Sequence, residues 1–356
     1  MATAPELDHD KAVKFLWQAV NDVGTALHGA LSFIGDRLGL FKAMAAGGPM
    51  TVEELARKTR LHRRYLREWL GAMTAAQYVE HDPATDRYRL PPEHALVVAD
   101  ETSPFFLGGF LELIVPCVSQ APKLVRAFRN GKGVPQRAYP PETFEAIERS
   151  SAAWYRHKLV QEWLPTMPDV VAKLAAGGTY ADVGCGSGRA AITVAKAFPR
   201  ARVAGYDNHA GSIARARKNA RAEGVARRVT FEARDAKRMP AGRFDLVSTF
   251  DVVHDAADPV GLVKAVRRAL APGGAYLMLE TNVAPTVDGN VNPIGKLLYS
   301  VSTLYCMTQS LAANGAGLGA AMGEPKAREL ADKAGFGRFR RLPVEDPFSV
   351  LYELKA

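Results

Sequence analysis

The residues best placed to do chemistry are His254 and the acids around it. His254 closes the mostly apolar run Phe244-Asp245-Leu246-Val247-Ser248-Thr249-Phe250-Asp251-Val252-Val253, and Asp255 and Asp258 follow it. An imidazole with an ordinary pKa of about 6.5 can take a proton from a hydroxyl near neutral pH, and a nearby carboxylate can orient it. Either Asp255 or Asp258 can fill the orienting role, and Glu280 is a candidate second carboxylate. Upstream, Tyr180–Val183 reads as a short strand, followed by Gly184, Gly186 and Gly188 at alternate positions and then a helix. Glycine permits a sharp turn and close approach of a ligand to main-chain N–H groups. A nucleotide-type cofactor at the carboxyl end of a parallel strand is the usual ligand of such a turn. The spacing departs from the dinucleotide fingerprint, because Arg189 stands where its third glycine belongs. Asp182, inside the strand, would repel a pyrophosphate, whereas a cationic ligand removes the objection. Asp207, ending the next strand, can accept hydrogen bonds from both hydroxyls of a ribose. Asp235 ends a third strand in the same manner.

These residues need a scaffold that brings strand ends together, and the C-terminal half has its pattern. Strands are predicted at Tyr180–Val183, Arg202–Tyr206, Val229–Ala233, Asp245–Thr249 and Ala275–Leu279, with helices at Ala190–Ala197, Ser212–Ala222 and Val260–Ala269 between them. A helix over Pro325–Ala334 and strands at Phe339–Pro343 and Ser349–Leu354 follow. Alternating strand and helix signify a parallel α/β sheet. Asn282–Gly323 interrupts the alternation with an apolar helical run and a turn, Gly315-Ala316-Gly317-Leu318-Gly319, expected to be flexible.

The N-terminal half is helical. Lys11–Met44 places Val13, Leu16, Val20, Val23, Leu27 and Ile34 at three- and four-residue spacing. Val20–Leu40 is apolar on more than one side, which points to a second copy of the chain covering one face. Thr51 and Glu54 have the capping-box spacing at a helix start. A second helix, Arg63–Ala75, buries Leu66, Trp69, Leu70 and Met73, and strands at Tyr78–His81 and Tyr88–Leu90 complete a winged helix. Ser103–Pro168 links this module to the sheet through Phe105–Val118 and Thr143–Leu164, around a loop at Asn130–Pro141. Trp154 and Tyr155 on the second segment stand just ahead of the first sheet strand, where they can roof a substrate pocket. The division expected is therefore 1–102, 103–168 and 169–356.

Composition narrows the class. Hydrophobic residues make up 47% of the 356, enough for large cores. No apolar run is long enough to span a bilayer, since Phe105–Val118 is short and contains Glu112. The N-terminus lacks a basic region and an apolar signal core. The three cysteines are scattered, which opposes a disulfide framework and a zinc cluster, so a cytoplasmic protein with no metal is expected. The net charge of +9 permits an acidic partner without requiring one. Arg63, Arg64 and Arg67 on the second winged-helix helix are the residues that would meet DNA.

The glycine stretch resembles the first motif of class I S-adenosylmethionine-dependent methyltransferases, D-x-G-x-G-x-G, at every defined position. Ala271-Pro272-Gly273-Gly274 resembles the turn before their fifth strand, and His254-Asp255-Ala256-Ala257-Asp258 the H-D-x-x-D segment of small-molecule O-methyltransferases. The resemblance covers about residues 170–356. It implies a Rossmann-like seven-stranded sheet whose last strand is antiparallel, behind a winged-helix domain that dimerises in many relatives. It implies that Asp182, Gly184, Gly186, Gly188, Asp207, Asp235, Ala236 and Phe250 hold S-adenosylmethionine, with Asp235 at the adenine amino group. It makes His254 the general base beside Asp255, and places Tyr305, Cys306 and Gln309 of the insertion at the acceptor. One departure is Ala256, where the family usually has tryptophan. The acceptor implied is small and apolar or aromatic, methylated at oxygen. Methylation of a carboxylate, nitrogen or sulfur, a DNA-binding regulator with S-adenosylmethionine as effector, and a nicotinamide-dependent oxidoreductase are the alternatives.

Overall fold

The structure, a computed structural model, describes residues 7–356. They form two compact units that divide between Val115 and Pro116, inside the stretch expected to be a connector.

The first unit opens with the helix His9–Arg37, followed by Leu40–Ala45. The single helix expected over Lys11–Met44 is broken because Gly39 takes a left-handed φ of 68°. Thr51 caps Val52–Thr59 with the full reciprocal capping box, and Arg63–Ala75 follows as predicted. The wing strands pair as Glu80–Asp82 against Arg87–Arg89, one to two residues from their expected positions. Leu55, Leu66, Trp69, Leu70 and Met73 form the core, and the Trp69 indole donates to Leu31 O at 3.0 Å. Along the first helix Val13, Leu16, Val20, Val23 and Leu27 are all at least half exposed.

The second unit is built on a seven-stranded sheet. Its strands are β1 (Thr179–Val183), β2 (Arg202–Asp207), β3 (Val229–Ala233), β4 (Phe244–Phe250), β5 (Leu270–Thr281), β6 (Arg338–Arg341) and β7 (Ser349–Lys355). They lie in the order β3-β2-β1-β4-β5-β7-β6, with β7 antiparallel to both neighbours and the first five parallel. Both faces are covered, so successive residues enter opposite cores. Along β5, Ala275, Leu277 and Leu279 face one core, and Tyr276 and Met278 the other. The order reverses at β1, which brings the carboxyl ends of β1, β2 and β4 to one crevice, the place where ligands bind in such sheets.

Candidate active site

The loop after β1 is shaped by its alternate glycines. Gly184, Gly186 and Gly188 all have left-handed φ, at 69°, 51° and 78°. A Cβ on Gly184 would lie 2.5 Å from Val252, and one on Gly188 2.5 Å from Phe231, so neither position accepts another residue without rearrangement. A Cβ on Gly186 would meet nothing within 4 Å. Asp207 ties this loop to the end of β2, accepting from Gly186 N at 2.9 Å and from His209 N at 2.7 Å. Arg189 starts the next helix and pairs with the buried Glu148 at 2.7 Å. Glu148 also accepts from Asn219 at 2.9 Å, and Asn219 holds Ser187 O at 3.0 Å. Sequence reasoning missed Glu148, whose role depends on packing between helices distant in the chain.

A cavity of about 590 Å³ opens at the strand ends. Gly184, Asp207, Asp235, Ala236, Asp255 and Gln309 line it, whereas Gly186, Gly188, His254 and Cys306 are not part of its wall. Gln136 and Arg137, from the short turn Gln136–Ala138, line it as well and carried no sequence signal. Asp182 lies beneath the loop, buried, accepting from Ser248 Oγ at 3.1 Å. Burial raises its carboxyl to about 7, opposed by the Ser248 hydrogen bond and reinforced by the nearby Asp207. Burial also raises Asp207, against the two N–H groups that lower it. Carboxylates penalised by burial favour a ligand that brings positive charge.

His254 is buried beyond β4, with 3% of its side chain exposed. Its Nδ1 lies 2.5 Å from Oε2 of Glu280, equally buried at the end of β5, whose Oε1 accepts from Val253 N at 3.1 Å. Glu280, rather than Asp258, is the carboxylate at Nδ1. Asp258 instead caps the helix Pro259–Ala269 through Gly261 N and pairs with Lys237 at 2.7 Å. Asp255 Oδ1 stands 3.2 Å from Nε2 on the other side of the ring, without hydrogen-bond alignment. Burial disfavours the imidazolium, yet Glu280 and Asp255 together outweigh it and hold His254 well above its ordinary pKa. The glycine turn of the insertion is no free loop: Gly319 N donates to His254 O at 3.1 Å and Ala316 N to Ala257 O at 2.9 Å. Close packing requires Gly315, where a Cβ would lie 2.3 Å from Ala257 Cα. Asp251, just ahead, holds a left-handed φ of 55°, and burial raises its carboxyl to about 7.

The aromatic residues lie elsewhere. Phe250 and Tyr155 pack together at 5.2 Å between ring centroids, with Trp163 against both, and Trp154 stacks on Phe348 at 6.1 Å. None of them lines the cavity. The chain turns from α-helix to π-helix at Tyr155–Trp163, so the extrapolated helical face rotates away. Tyr305 is buried against Tyr139 at 5.0 Å, behind Gln309, and Cys306 lies beside His254 and Asp255.

Residues 174–337 match the family described as Methyltransferase domain, and residues 26–100 match the Rv2258c-like winged HTH domain. Acetylserotonin O-methyltransferase of Mus musculus molossinus is 30% identical over 220 residues, 59% of this chain and 53% of that protein. The N,N-dimethyltransferase OxyT of Streptomyces rimosus is 27% identical over 275 residues, 73% of this chain and 75% of that one. The chain spans about half the length of the acetylserotonin O-methyltransferases it matches, 53% and 42%. Human N-acetylserotonin methyltransferase in complex with SAM has the same fold, with a TM-score of 0.66 at 19% identity over 99% of each chain. The two domain matches fall on the seven-stranded sheet and on the winged helix, so the chain carries a methyltransferase domain behind an N-terminal winged helix-turn-helix domain.

Proposed function

We propose that the protein transfers a methyl group from S-adenosylmethionine to a hydroxyl of a small, apolar or aromatic acceptor, with His254 as general base. The observation that carries this is the buried Glu280–His254 pair at 2.5 Å, which leaves Nε2 on the side of Asp255, a residue of the cavity wall. The donor set fits the cofactor: Asp207 and Asp235 stand at successive strand ends, and Asp182 and Asp207 have carboxyls raised by burial. When bound, S-adenosylmethionine supplies an electrophilic methyl carbon on cationic sulfur. Gly184, Asp207, Asp235 and Ala236 would hold it, and the insertion would orient the acceptor through Gln309. His254 Nε2 would take the proton of the acceptor hydroxyl as that oxygen is methylated. Glu280 fixes the tautomer with the proton on Nδ1 and offsets the charge that His254 acquires. Alignment of oxygen, carbon and sulfur in the walled cavity supplies much of the rate.

An amine acceptor is the second reading, favoured by the similarity to an N,N-dimethyltransferase. DNA recognition is less supported, because Arg64 pairs with Glu68 at 2.5 Å and Arg67 approaches Glu53 at 3.8 Å. The exposed apolar stripe of the first helix supports a homodimer that covers it. Three free, buried cysteines fit a reducing cytoplasm.

The test is methyl transfer by the purified protein to a panel of phenols, amines, thiols and acids. Activity on phenols that falls about 10²–10⁴-fold in His254→Gln, with S-adenosylhomocysteine affinity retained, supports the reading. Full activity of that variant on the preferred acceptor refutes base catalysis by His254.

A further inference from the structure

We propose that His254, Asp255 and Cys306 form a binding site for one thiophilic divalent cation of the Zn²⁺ class, and that filling it silences the catalytic base. A ring nitrogen of His254, a carboxylate oxygen of Asp255 and the sulfur of Cys306 all lie within 4.8 Å of one another. The three come from two separate segments, the loop after β4 and the turn Ser302–Cys306 of the insertion. Glu280 occupies Nδ1 at 2.5 Å, so Nε2 is the nitrogen that faces the other two ligands, 3.2 Å from Asp255 Oδ1. Oxygen and nitrogen ligands at about 2.0 Å from a tetrahedral zinc, and sulfur at about 2.3 Å, stand roughly 3.3–3.6 Å apart. The nitrogen–oxygen separation of 3.2 Å is close to that range, and the sulfur, within 4.8 Å, needs to move by at most about 1.5 Å.

Asp255 Oδ1 is shielded from solvent and makes no aligned hydrogen bond among the described residues; its one close partner is His254 Nε2, at 3.2 Å. A cation between the two would replace that loose pairing with a bond to each atom. Glu280 adds the outer-shell carboxylate that metal-bound histidines usually have, fixing the tautomer whose lone pair is on Nε2. Val253 N–H in turn anchors Glu280.

Chemistry selects the ion. Nitrogen, oxygen and sulfur donors together suit Zn²⁺ and its soft neighbours, whereas Mg²⁺ and Ca²⁺ require oxygen cages. The alternative group of Asp251, His254 and Glu280 is disfavoured, because atoms 2.5 Å apart share a proton and are too close to be two ligands of one ion. Binding of the dication displaces the thiol proton of Cys306, and the Nε2 proton of His254 where it is present, to solvent. Once the Nε2 lone pair is bound to the cation, it cannot accept a proton from an acceptor hydroxyl.

Metal-stripped full-length protein titrated with Co²⁺ should bind one equivalent and develop the near-ultraviolet sulfur-to-cobalt absorption, and Zn²⁺ should abolish the band by displacement. Cys306→Ser should lack the band, and Asp255→Asn should bind Co²⁺ roughly 10-fold or more weakly. Circular dichroism and thermal unfolding verify that each variant is folded, with Cys306→Ala as the replacement if the serine variant is not. No band in the wild type, or an unchanged band in a folded Cys306 variant, overturns the site. This readout needs no turnover, so it stands or falls independently of the proposed activity. On any acceptor that the protein methylates, one equivalent of Zn²⁺ should suppress the rate and a chelator should restore it. A rate unchanged or raised with zinc bound overturns the silencing.

Discussion

Replacing Glu280 by glutamine preserves shape and removes a charge at the point where the base is held. Glu280 Oε1 accepts from Val253 N at 3.1 Å and Oε2 faces His254 Nδ1 at 2.5 Å, both in a buried setting. Glutamine has one acceptor and one donor for these two places. If its oxygen stays with Val253 N–H, its NH₂ faces Nδ1, the ring proton moves to Nε2, and the lone pair needed for catalysis is gone. If it turns over, NH₂ confronts the Val253 N–H, and a buried unsatisfied donor costs about 1–3 kcal/mol. The lost charge-assisted hydrogen bond to the imidazolium formed in the reaction adds about 1.5–3 kcal/mol, roughly 10–150-fold in rate. A misplaced tautomer in a comparable base–carboxylate pair costs up to about 10⁴-fold. Glu280→Gln should therefore lower kcat by about 10²–10⁴-fold. Calorimetry should find S-adenosylhomocysteine affinity unchanged, since Glu280 is not part of the cavity wall.

The pH profile gives an independent reading. Burial works against the imidazolium, but Glu280 and Asp255 hold it well above the ordinary histidine pKa. The rate of the wild type should climb as His254 loses its proton, with a midpoint above about 6.5. In Glu280→Gln the midpoint should move down, because the charge of Glu280, the largest single influence that raises it, is gone. A folded variant with kcat within about threefold of wild type and the same midpoint would refute the role of Glu280.

Three further outcomes are expected. Asp182 has a folded pKa of about 7, above its unfolded value of 3.8, so its stabilising contribution is complete below about pH 4 and lost as pH rises through 7. The unliganded protein should lose stability over that window in urea titrations, while affinity for cationic S-adenosylmethionine rises, by at most about tenfold per pH unit for this one group. A flat affinity between pH 5.5 and 7.5 (about two units of titration) would exclude proton-linked binding. Glu148→Ala should free Arg189 and Asn219 and loosen the glycine loop, weakening cofactor binding by about 1.5–3 kcal/mol in calorimetry, and unchanged affinity would detach Glu148 from the loop. Val20→Asp with Leu27→Asp should convert a dimer to monomer in light scattering, because both side chains lie on the exposed stripe. A wild type that is already monomeric removes that interface.

Much of this was legible because its signals are local. Capping at Thr51, the alternate glycines after β1 and the acids at strand ends are written within a few residues, and the helix after Thr51 and the strands β1, β2 and β3 formed within one or two residues of their expected limits. What failed to show depended on register and packing. β4 and β5 run parallel with Phe250 beside Leu279, so the loop holding His254 folds back over Glu280; the sequence offered Glu280 as a candidate carboxylate, but its pairing with the histidine comes from this register. Asp258, adjacent in sequence, was drawn away by the helix it caps and by Lys237. Their position just ahead of β1 placed Trp154 and Tyr155 over a pocket, but Tyr155 packs against Phe250 and Trp154 stacks on Phe348. Glycine composition made Gly315–Gly319 read as flexible, yet its N–H groups bond the backbone of the His254 loop, and its glycines are there for contact.

The same insertion that fixes the histidine backbone also delivers Cys306 to its side chain, and this has a consequence for the chemistry. A base loop fastened on one side by Glu280 and on the other by Gly319 has little freedom to move away from the thiol. The geometry that preorganises His254 for proton transfer thus also preorganises it, with Asp255 and Cys306, as a soft-cation chelate. Activity and metal sensitivity should vary together: a change that displaces the glycine turn, such as Gly315→Val, should lower kcat and weaken Co²⁺ binding in one variant. Loss of one with full retention of the other would show that the two functions are positioned by different parts of the fold.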